Sequence, residues 1–132
     1  MKILLLNRSY YPHIGGIENS LYYLSREYER MGNEVVILTE EIRGDYPFRE
    51  EYADIITYPR YSGNKLFLPV LPLVNKSRIS KWIRQNKNRI EADLIICRDP
   101  MLGLSCLDVF PKANIVYIPA VVIKYYNRGW IL

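Results

Sequence analysis

The apolar positions along this chain change period several times, and the changes mark out its elements. Residues 2–6, apolar from Ile3 to Leu6, form the unbroken run expected of a strand buried on both faces of a parallel sheet. A turn-rich stretch from Asn7 to Gly16 follows. Ile17, Leu21, Leu24, Tyr28 and Met31 then recur at spacings of four and three, which places them on one face of a helix that Gly32-Asn33 stops. Val35-Val36-Ile37-Leu38, closing at Thr39, reads as a second strand. Strand, helix and strand in this order predict a right-handed βαβ unit.

After an acidic, loop-like stretch from Glu40 to Glu51, Asp54–Tyr58 is a third strand. Pro59, Gly63, Pro69 and Pro72 punctuate residues 59–73, which denies Leu66-Phe67-Leu68 and Val70-Leu71 a long helix or a central strand. Residues 75–90 return to helical spacing with Ile79, Trp82, Ile83 and Ile90 inward. Asp93–Cys97 is a fourth strand, Pro100 opens a short helix to about Phe110, and Ile115–Ile118 is a fifth strand. Strands alternating with helices predict an α/β fold. The expectation is a single Rossmann-like domain over residues 1–132, with a doubly wound parallel sheet in three α/β/α layers. The stretch from Val121 to Leu132 is still apolar and aromatic and halts on Trp130-Ile131-Leu132, so we expect the chain to be a fragment of a longer protein.

Composition narrows this picture without changing it. With 132 residues, 49% hydrophobic and 24% charged, the chain is of globular type and not a disordered tail. A domain of this size buries roughly two thirds of the surface its unfolded chain exposes, so it needs no staples. Cys97 and Cys106 are too few for a disulfide scaffold, and with His13 the single imidazole no metal site is expected. The opening apolar run stops at Asn7-Arg8, too short for a signal peptide or a membrane span, which predicts a cytoplasmic protein. The formal net charge is +4. Its excess is local: Lys76, Arg78, Lys81, Arg84, Lys87 and Arg89 fall in a stretch without a single acid, and the remainder is slightly acidic. Basic charge confined to one helix, with tyrosines scattered elsewhere, argues against nucleic acid as a partner.

Candidate chemistry concentrates between the first strand and the first helix, in Ser9-Tyr10-Tyr11-Pro12-His13-Ile14-Gly15-Gly16-Ile17-Glu18. Open α/β sheets bind ligands outside the carboxyl ends of their strands, where this loop lies. Adjacent glycines permit positive φ and close backbone approach, and the helix amino terminus that follows suits phosphate. Neither a dinucleotide fingerprint nor a P-loop is present. A bare Gly-Gly is equally compatible with a tight turn that serves only to enter the helix.

Its context distinguishes the loop. Tyr11-Pro12-His13-Ile14-Gly15-Gly16-Ile17-Glu18, then Leu24, then Met31-Gly32-Asn33-Glu34-Val35-Val36-Ile37-Leu38-Thr39 resembles the start of family-four glycosyltransferases of the GT-B fold. The resemblance covers Asn7 to Thr39 closely and beyond that only the order of strands and helices. It implies the N-terminal, acceptor-side domain of a retaining transferase that moves a sugar from a nucleotide-sugar donor to a sugar, lipid-linked or polysaccharide acceptor. It implies that Gly15 and Gly16 border the donor phosphates and the acceptor, that His13 and Glu18 belong to the same loop, and that the C-terminal domain, absent from these residues, carries most of the nucleotide site. Neither a cofactor nor a metal is implied, and the fragment alone is expected to be inactive. Family members often place a functional histidine after the fifth strand. Here that region reads Tyr117-Ile118-Pro119-Ala120-Val121, so we assign no general base.

The remaining candidates have two readings each. Glu18 in a first helical turn gains about 0.3–1 kcal/mol from the dipole without touching any ligand. Asn7 and Arg8 close the first strand and Arg98 and Asp99 the fourth, on the same edge of the sheet; Arg8 suits an acceptor phosphate or carboxylate, and Asp99 equally suits a helix cap. Arg78, Lys81 and Arg84, with Trp82, suggest a cationic helix lying peripherally on an anionic inner membrane face; a solvated surface helix with Trp82 packed on the sheet is the other reading. The alternative to a transferase is a non-catalytic or flavodoxin-like α/β module that binds a phosphorylated metabolite or nucleotide through Gly15 and Gly16.

Overall fold

A computed structural model describes residues 1–10, 16–41, 52–61 and 71–119. Five strands, β1 (Lys2–Leu6), β2 (Glu34–Glu40), β3 (Asp54–Tyr58), β4 (Leu94–Cys97) and β5 (Ile115–Tyr117), form one parallel sheet in the order β3-β2-β1-β4-β5. The helices are α1 (Gly16–Arg30), α2 (Leu71–Gln85), α3 (Lys87–Ile90) and α4 (Pro100–Val109). The chain first steps from β1 to β2 to β3, then crosses back to β4 and β5. Right-handed crossovers therefore carry α1 to one face and α2–α4 to the other. The sheet is the Rossmann-like, doubly wound arrangement expected from the alternation of elements.

Burial explains why β1 carries no polar alternation. Leu4 and Leu6 join Val36, Leu38, Ile95 and Cys97 under Ile79, Ile83 and Leu102 of α2 and α4. Ile3 and Leu5 join Val35, Ile37 and Ile96 under Leu21 of α1, with Ile17, Leu24 and Tyr28 alongside. The four β1 side chains from Ile3 to Leu6 are fully buried, each worth about 1.5–3 kcal/mol relative to exposure. Cys97 and Cys106 are buried free thiols among them, and burial pushes their pKa values up to about 11 and about 12. A Cβ on Gly103 would meet Cys97 Sγ at 3.0 Å, so the glycine lets α4 approach β4.

Three expectations need correcting. Met31 is 70% exposed because α1 ends at Arg30 and Gly32 takes φ 88°, which turns the chain off the helical face. The second long helix starts at Leu71 rather than at residue 75. Pro72 falls in its first turn, where no intrahelical bond needs an N–H. The same helix breaks at Asn86, whose Nδ2 donates to the Trp82 carbonyl at 2.9 Å while its backbone N–H is shared between Trp82 and Ile83 at 3.1 Å. A side chain that bonds the preceding turn competes with the backbone ladder. Among the described residues no helix is long and apolar enough to cross a membrane.

Candidate functional site

Strand order reverses between β1 and β4, and in open α/β sheets the crevice at the carboxyl ends of such a pair is the natural ligand position. After β1, the buried Asn7 donates its Nδ2 to the Ser9 carbonyl at 2.7 Å and shapes the turn away from the sheet. The Arg8 carbonyl accepts from Thr39 Oγ1 at 3.1 Å and from the Glu40 N–H at 3.2 Å. Its guanidinium reaches sideways, with Nε 3.3 Å from Glu40 Oε2, while Arg60 Nε holds the other Glu40 oxygen at 2.8 Å. Arg8 is thus already paired with a carboxylate.

On the α1 side, Ser9 Oγ donates to Glu18 Oε1, which ties the end of β1 to the first turn of the helix. Gly16, the first residue of that helix, corrects part of the glycine argument. Its φ is not in the left-handed region, and among the described residues a Cβ there would meet nothing within 4 Å. Its backbone conformation therefore does not require glycine at this position. Arg98 leaves β4 toward the same place. Its N–H donates to the Leu6 carbonyl at 2.9 Å and Nη1 donates to Ser20 Oγ of α1 at 3.1 Å, while Nε is buried without a partner among the described residues. Arg98 thus reaches α1 about one turn in from its amino terminus, and a guanidinium and a helix amino terminus each attract negative charge. His13 and Gly15 lie outside the described residues.

Asp99 turns to the other face. Its Oδ1 accepts from the backbone N–H groups of Met101 at 2.9 Å and Leu102 at 3.3 Å, with Pro100 at the first helical position, so it caps α4. Beside it opens a cavity of about 120 Å³, lined by Arg8, Glu40, Tyr58, Tyr61, Asn75 and Asp99 above Ile79 and Leu102. Burial first, and then Glu40 and Asp99, push the Tyr58 hydroxyl well above its ordinary range. The sequence reading singled out Arg8 and Asp99 but missed Glu40, Tyr58, Tyr61 and Asn75. Strand-end position marks Glu40 and Tyr58; only the tertiary fold brings Asn75 to them.

The cationic helix resolves into separate contacts. Each three-residue step falls about 60° short of a full turn, so Arg78, Lys81 and Arg84 walk around α2 instead of sharing one face, and Lys87 lies beyond the break, in α3. Arg78 lies 5.9 Å from the centroid of the Tyr61 ring and Lys87 5.8 Å from that of Phe110. Lys76 bonds Asp108 of α4 at 2.6 Å; that hydrogen bond holds the Asp108 carboxyl below the usual carboxylate range, with Ser80 and Arg84 lowering it further. Lys81 and Arg84 remain exposed, whereas Trp82 packs inward with its ring 6.3 Å from that of Tyr58. The expectation of Trp82 as a membrane-facing residue is therefore corrected: it completes the core.

No three His, Cys, Asp or Glu side chains gather among the described residues. Fold and edge together define an α/β domain with its ligand crevice at the switch point of a doubly wound sheet. The chain belongs to Glycosyltransferase Family 4, whose family model matches residues 14–122. Among solved structures it is similar to two crystal structures of the C-terminal domain of PF1911 hydrogenase from Pyrococcus furiosus. One has a TM-score of 0.54 at 18% identity and covers 88% of this chain and 89% of that one. The other has a TM-score of 0.52 at 17% identity and covers 89% and 90%. That likeness speaks for the fold alone. None of the curated proteins compared with the chain matches it.

Proposed function

We propose that this chain is the acceptor-side half of a retaining glycosyltransferase that takes a sugar from a nucleotide-sugar donor. The observation that carries the reading is Arg98 at the end of β4, its Nη1 on Ser20 of α1 and its buried Nε unpartnered among the described residues, beside the β1–α1 edge in a chain of this family. Arg98 and the amino terminus of α1 face the donor diphosphate, and Glu18 holds the loop through Ser9. A second domain binds most of the nucleotide, so the 132 residues alone turn over no donor. Transfer from a panel of nucleotide-sugars by the whole product of the gene tests this, with the product's anomeric configuration read by NMR. Calorimetry separates the competing reading. Micromolar nucleotide binding by this chain alone would favour a self-contained binding module over half a transferase.

Peripheral membrane contact, on this reading, runs through the exposed Lys81 and Arg84 of α2 beside Leu104 and Leu107 that α4 exposes. Binding to vesicles rich in anionic lipid then weakens with salt and with Lys81→Ala and Arg84→Ala but not with Arg78→Ala. Equal binding to neutral vesicles would refute it.

A further inference from the structure

The cavity beside Asp99 is chemically unlike the Arg98 side of the same edge. At about 120 Å³ it is far smaller than the ~300–1,000 Å³ pockets that enclose drug-sized ligands, so it has room for one ring and not for a nucleotide. Ile79, Met101 and Leu102 give it an apolar floor and Tyr61 an aromatic side, a suitable bed for the C–H face of a ring. Its polar lining combines two carboxylates, Glu40 and Asp99, with Asn75, Tyr58 and Tyr61, which donate as well as accept, and with Arg8 at the rim. Asp99 spends Oδ1 on the α4 cap, and its Oδ2 takes no hydrogen bond among the described residues. Glu40 presents a carboxylate whose charge is shared by Arg8 and Arg60. Asn75 contributes a carbonyl oxygen, Oδ1, that is shielded from solvent and has no hydrogen-bond partner.

An acceptor without a donor destabilises the folded chain unless something supplies the donor. The terminal torsion of asparagine is broad, and Oδ1 has no bond to break when the amide turns toward the cavity. Turned that way, the oxygen would accept from a hydroxyl held in the cavity, and the two carboxylates make the wall as a whole unfavourable to anions. Two carboxylates border the space, and the cation on its rim, Arg8, is already paired with one of them. The N–H groups that Arg8 does not use on Glu40 are left to donate to ring or hydroxyl oxygens.

We propose that this cavity is a subsite for one uncharged pyranose ring of the acceptor, that Asn75, Asp99 and Tyr61 recognise it, and that the subsite rejects phosphorylated sugars. The assignment rests on the transferase reading and narrows its acceptor to a neutral glycan or glycoside, with the phosphate-binding chemistry kept on the Arg98 side.

The test is an NMR titration of the ¹⁵N-labelled chain with methyl α-glucoside, methyl α-galactoside and methyl α-mannoside, and separately with the matching hexose 6-phosphates. At least one neutral hexoside should shift the Asn75 side-chain amide and the Met101 and Leu102 N–H signals saturably at millimolar concentration, and the phosphates should not. Asn75→Leu should weaken that binding about five- to tenfold, the value of one or two hydrogen bonds, with the rest of the spectrum unchanged. Tyr61→Ala, at a partly exposed position, should weaken it as well and serves if the first variant folds poorly. Silence with every neutral hexoside, equal shifts with the phosphates, or unchanged affinity in both variants would overturn the proposal. A saturable titration beside an inactive whole gene product would remove the transferase reading and leave the sugar subsite standing. Transfer by that product with an acceptor KM untouched by Asn75→Leu would do the reverse.

Discussion

Asp99 serves two roles, and a pair of substitutions separates them. Asp99→Ala removes the only side-chain acceptor among the described residues for the first N–H groups of α4, two bonds of 2.9 and 3.3 Å. An N-cap of this kind is worth typically about 1 kcal/mol. The loss is not absorbed locally, because α4 carries the buried Leu102, Ser105 and Cys106 on the turns that follow. For a chain of this length 1 kcal/mol corresponds to a shift of about 3–5 °C in Tm. Asp99→Asn keeps the geometry, since asparagine caps nearly as well, and loses mainly the dipole contribution of about 0.3–1 kcal/mol. Thermal unfolding followed by circular dichroism at neutral pH should therefore rank wild type, Asn and Ala in that order, with Asn about 1–5 °C below wild type and Ala, which loses both cap and charge, lower still. An Ala variant that melts with the wild type would refute the capping role, and an Asn variant as damaged as Ala would show that charge, not cap geometry, holds the turn. Since Asp99→Asn stays folded, its sugar affinity then reports the carboxylate alone.

Three further outcomes follow from the same structure. Gly16→Ala meets no obstacle among the described residues and needs no unusual φ, so the variant should unfold at the wild-type temperature or slightly above while sugar transfer by the whole gene product falls at least tenfold; unchanged transfer would return the glycine to the role of a simple turn residue. Asp108 has a depressed folded pKa, so its pairing with Lys76 stabilises the protein above the ordinary carboxylate value of 3.8 and ceases to do so as pH falls through the lower folded value. Urea titrations should show Asp108→Asn less stable than wild type at pH 7 and indistinguishable from it at pH 2, and a constant gap would exclude this linkage. Cys97 and Cys106, raised to about 11 and about 12, should resist Ellman's reagent at pH 8 until the protein unfolds, and rapid labelling of the native chain would contradict their burial.

Most of the fold was legible because local pattern and global architecture agree. β1 and β3 fall where the apolar runs placed them, and α1 turns toward the sheet the residues its spacing selected up to Tyr28, Leu21 fully buried and Ile17, Leu24 and Tyr28 partly so. Met31 departs because periodicity carries no information about where a left-handed glycine ends the helix. The start of α2 departs because a proline in a first turn looks, in sequence, like one that breaks a helix. The break at Asn86 was hidden for a different reason: the bond from its own side chain to Trp82 is decided by one rotamer. The candidate site divides in the same way. Arg98 and Asp99 could be found because the carboxyl end of a strand is a position in sequence as well as in space. Glu40, Tyr61 and Asn75 come together only when β2, the segment after β3 and α2 meet, and no spacing along the chain encodes that meeting.

The most direct measurement is sugar transfer by the whole gene product, wild type and Arg98→Met, from a panel of nucleotide-sugars to neutral glycosides. The account predicts a product that keeps the donor's anomeric configuration, and a donor KM that rises at least tenfold in the variant while the acceptor KM stays within twofold. Inversion at the anomeric carbon, or an Arg98→Met enzyme that uses its donor as well as the wild type does, would contradict it.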